Sequence, residues 1–483
     1  MTTTIDKLEP KEVWEIFNNI TKYPRPSKKE EKIVKYIEDF ANNLNLPIKK
    51  DKLGNLVITK PATKGFEDRP TFCIQAHVDM VTEKNRDVEF DFDNDSIQTY
   101  IDNGWVKAKG TTLGADNGMG LAMGMAVLAS DSLEHPRFEL LCTLDEETGL
   151  TGASELGTDL LESEILINLD TEDFGHFTIG CAGGLNTLGT LDIVLEDTPK
   201  QYRTFELTLK GLLGGHSGIE IDDERGNAAK ILVRFVLHLK DRFNIRIHSF
   251  DSGDKHNAIP RESYITFSLP KDQILKLEAM VVSYQSILKN EWAYKEPNIE
   301  LILENIEFKP KMISVGTQDD LLNVINALPH GVQRFTPELP SLVQTSTNLA
   351  RIKTLDTKIE ILTSQRSIVE SEKFWIAGIV NSVFELGGFN ITKTSGYPAW
   401  EPKKNSKLVD KAVRIHKETF NEEPVIELIH AGLECGLIGE KYPRMEMLSF
   451  GPTLKDVHTP SEKIEIESVE KCWLLLKNII REL

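Results

Sequence analysis

The chain has 483 residues, 40% of them apolar and 27% charged, which is ample material for folded cores and excludes disorder as a global description. Lys and Arg total 56 against 75 Asp and Glu, a formal net charge of −19 that would repel a phosphate backbone and so excludes general nucleic-acid binding. The longest run of apolar residues and glycine, 118–129, has twelve residues where a membrane span needs about 20. With no apolar signal core at the start either, the expectation is a cytoplasmic protein without membrane contact. Five scattered cysteines (Cys73, Cys142, Cys181, Cys435, Cys472) contain no C-x-x-C pair, against both a disulfide framework and a four-cysteine zinc site.

In chain order, Trp14, Phe17 and Ile20 share one helical face, and Ile33, Tyr36, Ile37, Phe40 and Leu44 another. Residues 51–55 predict a turn into a strand at 56–58. Three short apolar runs follow at 72–77, 138–144 and 165–170, each flanked by polar turns, as buried strands of a helix-covered sheet are. The apolar stretch 119–128 predicts a helix packed on that sheet. This alternation is α/β. From about 183–204 the character turns α+β, with a strand at 204–209 and a helix at 228–239, and this continues to about 398. A strand-then-helix pattern recurs at 358–386, which hints at duplication. Alternating helix and strand then return, with a helix at 409–420, a strand at 445–450 and a closing helix at 467–481.

The ends of the three strands carry the chemistry. His77-Val78-Asp79 ends the first, Asp145-Glu146-Glu147 the second and Asp170 the third. Ligands of open α/β sheets gather outside the carboxyl ends of strands. So many carboxylates together repel one another unless a cation joins them or the ends face apart. Asp116, in the glycine-bracketed loop 112–118, reads either as a helix N-cap or as a carboxylate bridging two cations. Glu146 and Glu147 would point to opposite faces if they continue the strand, one ligating and one left as a general base; a solvated acidic loop is the plainer alternative. His458, in a proline-fixed loop, and His216, among glycines at 214–218, read equally as surface and turn residues when taken singly.

Together the motifs resemble one family. His77-x-Asp79, Gly114-Ala115-Asp116-Asn117-Gly118, Asp145-Glu146-Glu147-x-Gly149, Asn168-Leu169-Asp170, Gly215-His216-Ser217-Gly218 and His458-Thr459-Pro460 stand in the order and spacing of the cocatalytic dizinc exopeptidases. Two further stretches, 430–436 and 396–400, are similar to the branch that cleaves Xaa-His dipeptides. The resemblance implies a mixed-sheet catalytic domain formed by 1–185 and 399–483, with an inserted α+β lid and dimerisation domain at 186–398, about twice the family's usual length. It implies two divalent metal ions, zinc above all, with cobalt and manganese also compatible with imidazole and carboxylate ligands. His77, Asp116, Glu147, Asp170 and His458 would ligate them, Asp116 bridging through a cis Asp116–Asn117 peptide. Asp79 would orient His77, Glu146 would serve as general base, and His216 would stabilise an oxyanion. Asn257, Arg366 and Glu434 would contact substrate, Arg366 through its carboxylate and Glu434 through its free amine; a surface ion pair is the plain alternative for Arg366. The implied reaction is metal-dependent hydrolysis of small peptides with a free amino terminus, preferring Xaa-His dipeptides such as beta-alanyl-histidine, in a homodimer. A tripeptidase or an N-acyl-amino-acid deacylase shares the same dimetal motifs, and a non-catalytic binding protein on this fold is the reading from another class.

Overall fold

In the computed structural model, which describes residues 4–337, 342–393 and 396–483, the three apolar runs become neighbouring strands. The chain divides into two units, one of residues 1–181, 400–428 and 433–483, the other of 182–399 and 429–432.

The first unit is built on a mixed sheet. Its strands, labelled in chain order, are β1 (Ile48–Lys50), β2 (Leu56–Lys60), β3 (Phe72–His77), β4 (Phe138–Thr143), β5 (Ile165–Asn168), β6 (His176–Cys181), β7 (Val425–Ile429) and β8 (Glu446–Ser449). They run in the order β1-β2-β4-β3-β5-β8-β6-β7 across the sheet. The central strands β4, β3, β5 and β8 are mutually parallel. β1 and β2 are antiparallel to their neighbours, and β6 is antiparallel to β8. Every residue of β3 and β4 is buried, as continuous apolar runs predict for strands covered on both faces. Phe72 and Phe138, paired in register, stack at 4.9 Å.

Helices α1 (Lys11–Ile20), α2 (Glu31–Asn43), α3 (Ala115–Ala129), α4 (Lys407–Phe420), α5 (Glu434–Lys441) and α6 (Ile466–Glu482) surround this sheet. Trp14, Phe17 and Ile20 on α1 and Ile33 and Ile37 on α2 are fully buried, the faces their spacing marks. α3 is the exception to amphipathicity, apolar on all sides and buried over most of its length. Small residues let it lie close to the sheet. A Cβ on Gly124 would stand 2.4 Å from Leu140 Cδ1 on β4.

The second unit carries an antiparallel sheet. Its strands run in the order Glu300–Ile306, Tyr202–Lys210, Ser263–Pro270, Arg246–Ser252, Val343–Thr354, Lys358–Ser367, Gly183–Asp192 and Asn390–Lys393, with Gly331–Phe335 also paired to Val343–Thr354. Helices Ala228–Lys240, Ile274–Glu291, Val315–Ala327 and Glu370–Leu386 complete it, around a core that includes Phe205, Phe235, Phe250 and Phe267. Both strand-then-helix segments seen in the sequence lie in this unit. All five cysteines are buried and unbridged. Among the described residues no helix is long and apolar enough to cross a membrane.

The tight seat of α3 sets a test. Gly124→Val should cost about 1–3 kcal/mol by overpacking against Leu140, measured as a lowered urea midpoint. An unchanged midpoint would show that α3 does not need its small face.

Candidate metal centre

β3 runs its last side chain, His77, to the carboxyl edge of the sheet, where the imidazole is 1% exposed. Asp79, two residues on and fully buried, meets His77 Nδ1 with Oδ1 at 3.3 Å. It also accepts from Ser27 Oγ at 2.7 Å and from the backbone N–H groups of Glu146 and Glu147 at 3.0 and 3.1 Å. Burial works against the Asp79 anion, but His77 and the Glu146 N–H outweigh it and hold its pKa down at about 2. One carboxylate thus fixes both the His77 ring and the turn that bears the two glutamates.

That turn differs from a continued strand. Asp145 adopts φ +49°, and Glu146–Gly149 form a single helical turn. The Asp145 N–H donates to Glu30 Oε1 at 3.0 Å, and its carboxylate accepts from the Thr148 and Thr151 hydroxyls. Successive positions of a helical turn, rather than opposite faces of a strand, therefore separate the directions of Glu146 and Glu147.

Asp116 is not a helix cap. Gly114, at φ +68°, occupies the N-cap position of α3, while Asp116 and Asn117 depart from helical angles and are joined by a cis peptide. Its two oxygens reach two different imidazoles, Oδ1 at 3.1 Å from His77 Nε2 and Oδ2 at 3.1 Å from His458 Nε2. The loop is held by Glu462, whose buried carboxylate accepts from the N–H groups of Leu113, Gly114, Ala115 and Asp116 at 2.7, 3.0, 2.8 and 3.4 Å. Buried Arg25 donates to Gly114 O at 2.6 Å from the other side. Asp170, just past β5, stands 3.5 Å from His77 Nε2 and accepts from Asn117 Nδ2. His458 lies in the loop between the paired strands Leu454–Lys455 and Lys463–Glu465, with Nε2 3.0 Å from Glu147 Oε2.

Two overlapping donor sets result, His77–Asp116–Asp170 and Asp116–Glu147–His458, each with its ligand atoms within 4.8 Å of one another. Glu146 groups with His77 and Glu147 at the same spacing. Burial, and then their acidic neighbours, push the Glu146, Glu147 and Asp170 carboxyls upward. Burial also disfavours the His77 imidazolium, yet Asp170, Asp116 and Asp79 carry its pKa well above the ordinary value. Asp116 itself is driven down, against burial, by His458 and His77. Glu147 Oε1 is buried without a hydrogen-bond partner among the described residues. Imidazole nitrogens, shared carboxylate and orphaned oxygen all fit a pair of divalent cations.

Glu434, the first residue of α5, is fully buried beneath this cluster and accepts from Gln75 Nε2 at 2.5 Å and Thr143 Oγ1 at 2.7 Å. Burial pushes its pKa up to about 7.

The other three candidates belong to the second unit. His216 Nδ1 accepts from the N–H groups of Gly218 and Ile219, both at 3.2 Å, which leaves the ring proton on Nε2. Asn257 neighbours it through the Ser217 N–H to Asn257 O bond of 2.8 Å, and both line a cavity of about 590 Å³. Arg366, 6% exposed on the strand Lys358–Ser367, donates to Tyr397 Oη at 2.9 Å. It is therefore no surface ion pair. Its neighbour His430, bonded to Ser346 Oγ at 2.7 Å, is held neutral by burial and by Arg366, its pKa near 3. Sequence reading assigned no part to Glu462, Glu30, Gln75, Tyr397 or His430. Glu462 stands four residues past His458, and a carboxylate in the same loop as a candidate ligand is the one signal that could have found it.

Comparison with known proteins agrees with this geometry. Residues 73–482 match the model of peptidase family M20/M25/M40. Over 479 residues, 99% of each chain, the sequence is 41% identical to the cytosol non-specific dipeptidase of Escherichia coli K12. The crystal structure of aminoacylhistidine dipeptidase from Vibrio alginolyticus is similar at TM-score 0.89 and 40% identity, over 100% of this chain and 98% of that one. Aminopeptidase PepT from Bacillus cereus shares the fold at TM-score 0.57 and 16% identity, over 98% and 99%. Fold and site thus define a metal-dependent hydrolase. The chain belongs to peptidase family M20/M25/M40.

Without metal, His458 keeps its proton to a pKa of about 11, held by Asp116 and Glu147. That raised value stabilises the metal-free fold below the unfolded histidine value of about 6.5, and the contribution fades as pH rises through about 11. A cation must displace this proton. Apparent zinc affinity should therefore rise between about pH 6 and about pH 9, with proton release on binding. Calorimetric titration in two buffers of unequal ionisation enthalpy measures it, and a buffer-independent heat would contradict the assignment.

Proposed function

We propose that the chain is a dinuclear dipeptidase that hydrolyses small peptides with a free amino terminus, Xaa-His dipeptides such as beta-alanyl-histidine among its preferred substrates. The observation that carries this reading is the Asp116 carboxylate, one oxygen 3.1 Å from each of two imidazoles contributed by residues 77 and 458. The substrate class is supported by the dipeptidase names of the two relatives that share about two-fifths of this sequence over its whole length.

His77, Asp116 and Asp170 would hold one cation and Asp116, Glu147 and His458 the other, zinc being the best match to the donor set. When bound, such a pair lowers the pKa of a water and polarises the scissile carbonyl. Glu146 accepts the proton of the attacking water and returns it to the leaving amine, a task suited to a carboxyl that burial has raised. Asp79 keeps His77 in one orientation and tethers the Glu146 turn. His216, its proton on Nε2, donates to the developing oxyanion. Arg366 binds the substrate carboxylate, Asn257 its peptide group and Glu434 its ammonium. The enzyme acts in the cytoplasm as a homodimer, and its unbridged cysteines suit that reducing compartment.

Activity on beta-alanyl-histidine, starting from apoenzyme with zinc, cobalt or manganese added back singly, tests reaction, substrate and cofactor. Efficient cleavage of N-acyl-amino acids with none of Xaa-His dipeptides would overturn the substrate class. Glu146→Gln should lower kcat by at least about 10²–10⁴-fold while metal content, read by mass spectrometry, stays at the wild-type value. Asp116→Asn should reduce both.

A further inference from the structure

Directly beneath the metal cluster, the sheet carries a row of polar side chains where apolar ones would serve. Gln75 on β3 pairs in register with Asn168 on β5, Asn168 with Ser449 on β8, and Ser449 with Thr178 on β6. All four are at most 1% exposed. To the opposite face the same central strands turn Ile74, Ile167 and Leu448. Buried amides and hydroxyls are costly unless fully bonded, so such a row calls for a reason.

Its bonds run in one direction. Ionised, as pairing with an ammonium requires, the Glu434 carboxylate accepts only, so Gln75 presents Nε2 to it, at 2.5 Å. Gln75 Oε1 then needs a donor and finds Asn168 Nδ2 at 2.6 Å. Asn168 Oδ1 in turn takes the Ser449 hydroxyl at 2.5 Å, and Ser449 Oγ lies 2.8 Å from Thr171 Oγ1. Each dipole points its positive end toward Glu434, and each bond polarises the next. Thr178 donates the other way, to Glu427 Oε1, so the oriented row ends at Thr171. On Glu434 both donors, Gln75 and Thr143, sit on Oε2, while Oε1 is buried without a partner among the described residues.

We propose that Gln75, Asn168 and Ser449 are positioning residues that hold the Glu434 carboxylate with Oε2 tied inward and Oε1 presented to the ammonium group of the substrate. This rests on the reading of Glu434 as the amine's partner and adds the device that aims it. The row makes the free amino terminus a requirement, because an amine-free substrate leaves the oriented carboxylate unpaired.

The test uses the metal-loaded, full-length enzyme and two substrates, beta-alanyl-histidine and its amine-free analogue propionyl-histidine. The readout is the ratio of their kcat/KM values, with metal content measured for each variant. Glu434→Gln should shrink the ratio by about 10- to 100-fold. Gln75→Met should shrink it by about 5- to 10-fold and Ser449→Ala by about 2- to 3-fold, a gradient that follows the row. Should Glu434→Gln leave the ratio intact, the amine reading of Glu434 falls and the proposal with it. Should Glu434→Gln collapse the ratio while Gln75→Met and Ser449→Ala preserve it, the positioning row alone is overturned. Equal losses on both substrates mark a purely structural role and overturn it too. If Gln75→Met does not fold, Ser449→Ala decides by the same ratio.

Discussion

Mutual repulsion among closely grouped carboxylates is the constraint around which the first unit is organised. Asp79, fully buried, and Asp116, Glu146, Glu147 and Asp170, half-buried, converge at the carboxyl edge of one sheet, where little water is left to screen them. Positive charge has to be supplied there, by protonated imidazoles in the metal-free chain and by cations in the loaded one. Much of the nearby structure exists to hold these groups together against that repulsion. Asp79 joins the His77 ring to the glutamate turn, and Glu462 collects four backbone N–H groups so that the Asp116 loop cannot relax outward.

The second unit handles charge differently. Arg366 is buried with Tyr397 as its hydroxyl partner, and His430 beside it is kept neutral. His216 is likewise committed to one tautomer by two backbone donors, with its proton on Nε2.

How much of this could be read beforehand follows from which signals are local. Strand β3 and strand β4 were legible because short, mainly apolar runs bounded by polar turns are a local pattern, and α3 because of its unbroken apolar stretch. The gathering of His77, Asp116, Glu147, Asp170 and His458 was legible as motif order, since each stands at a strand end or in a loop marked by glycine or proline. The shape of the Glu146 turn was not, because Asp145 takes its left-handed conformation from Glu30, Thr148 and Thr151, and the first of these is 115 residues away. The Gln75–Asn168–Ser449 row was hidden for another reason. One polar residue in an otherwise apolar strand carries no message until register sets three of them side by side. The strand order of the second sheet was invisible altogether, being decided by pairings such as residues 183–192 with 358–367 across a long stretch of chain.

The placement of β8 has a consequence for biogenesis. This strand comes from near the end of the chain, yet it sits inside the sheet between β5 and β6, both made before the second unit begins. A growing polypeptide therefore carries an open gap in its first sheet throughout synthesis of the entire inserted unit. Edge strands exposed for so long invite mispairing or chaperone capture. Closure awaits the same late segment that carries His458 and Glu462, so sheet completion and the gathering of His77, Asp116 and His458 become one event.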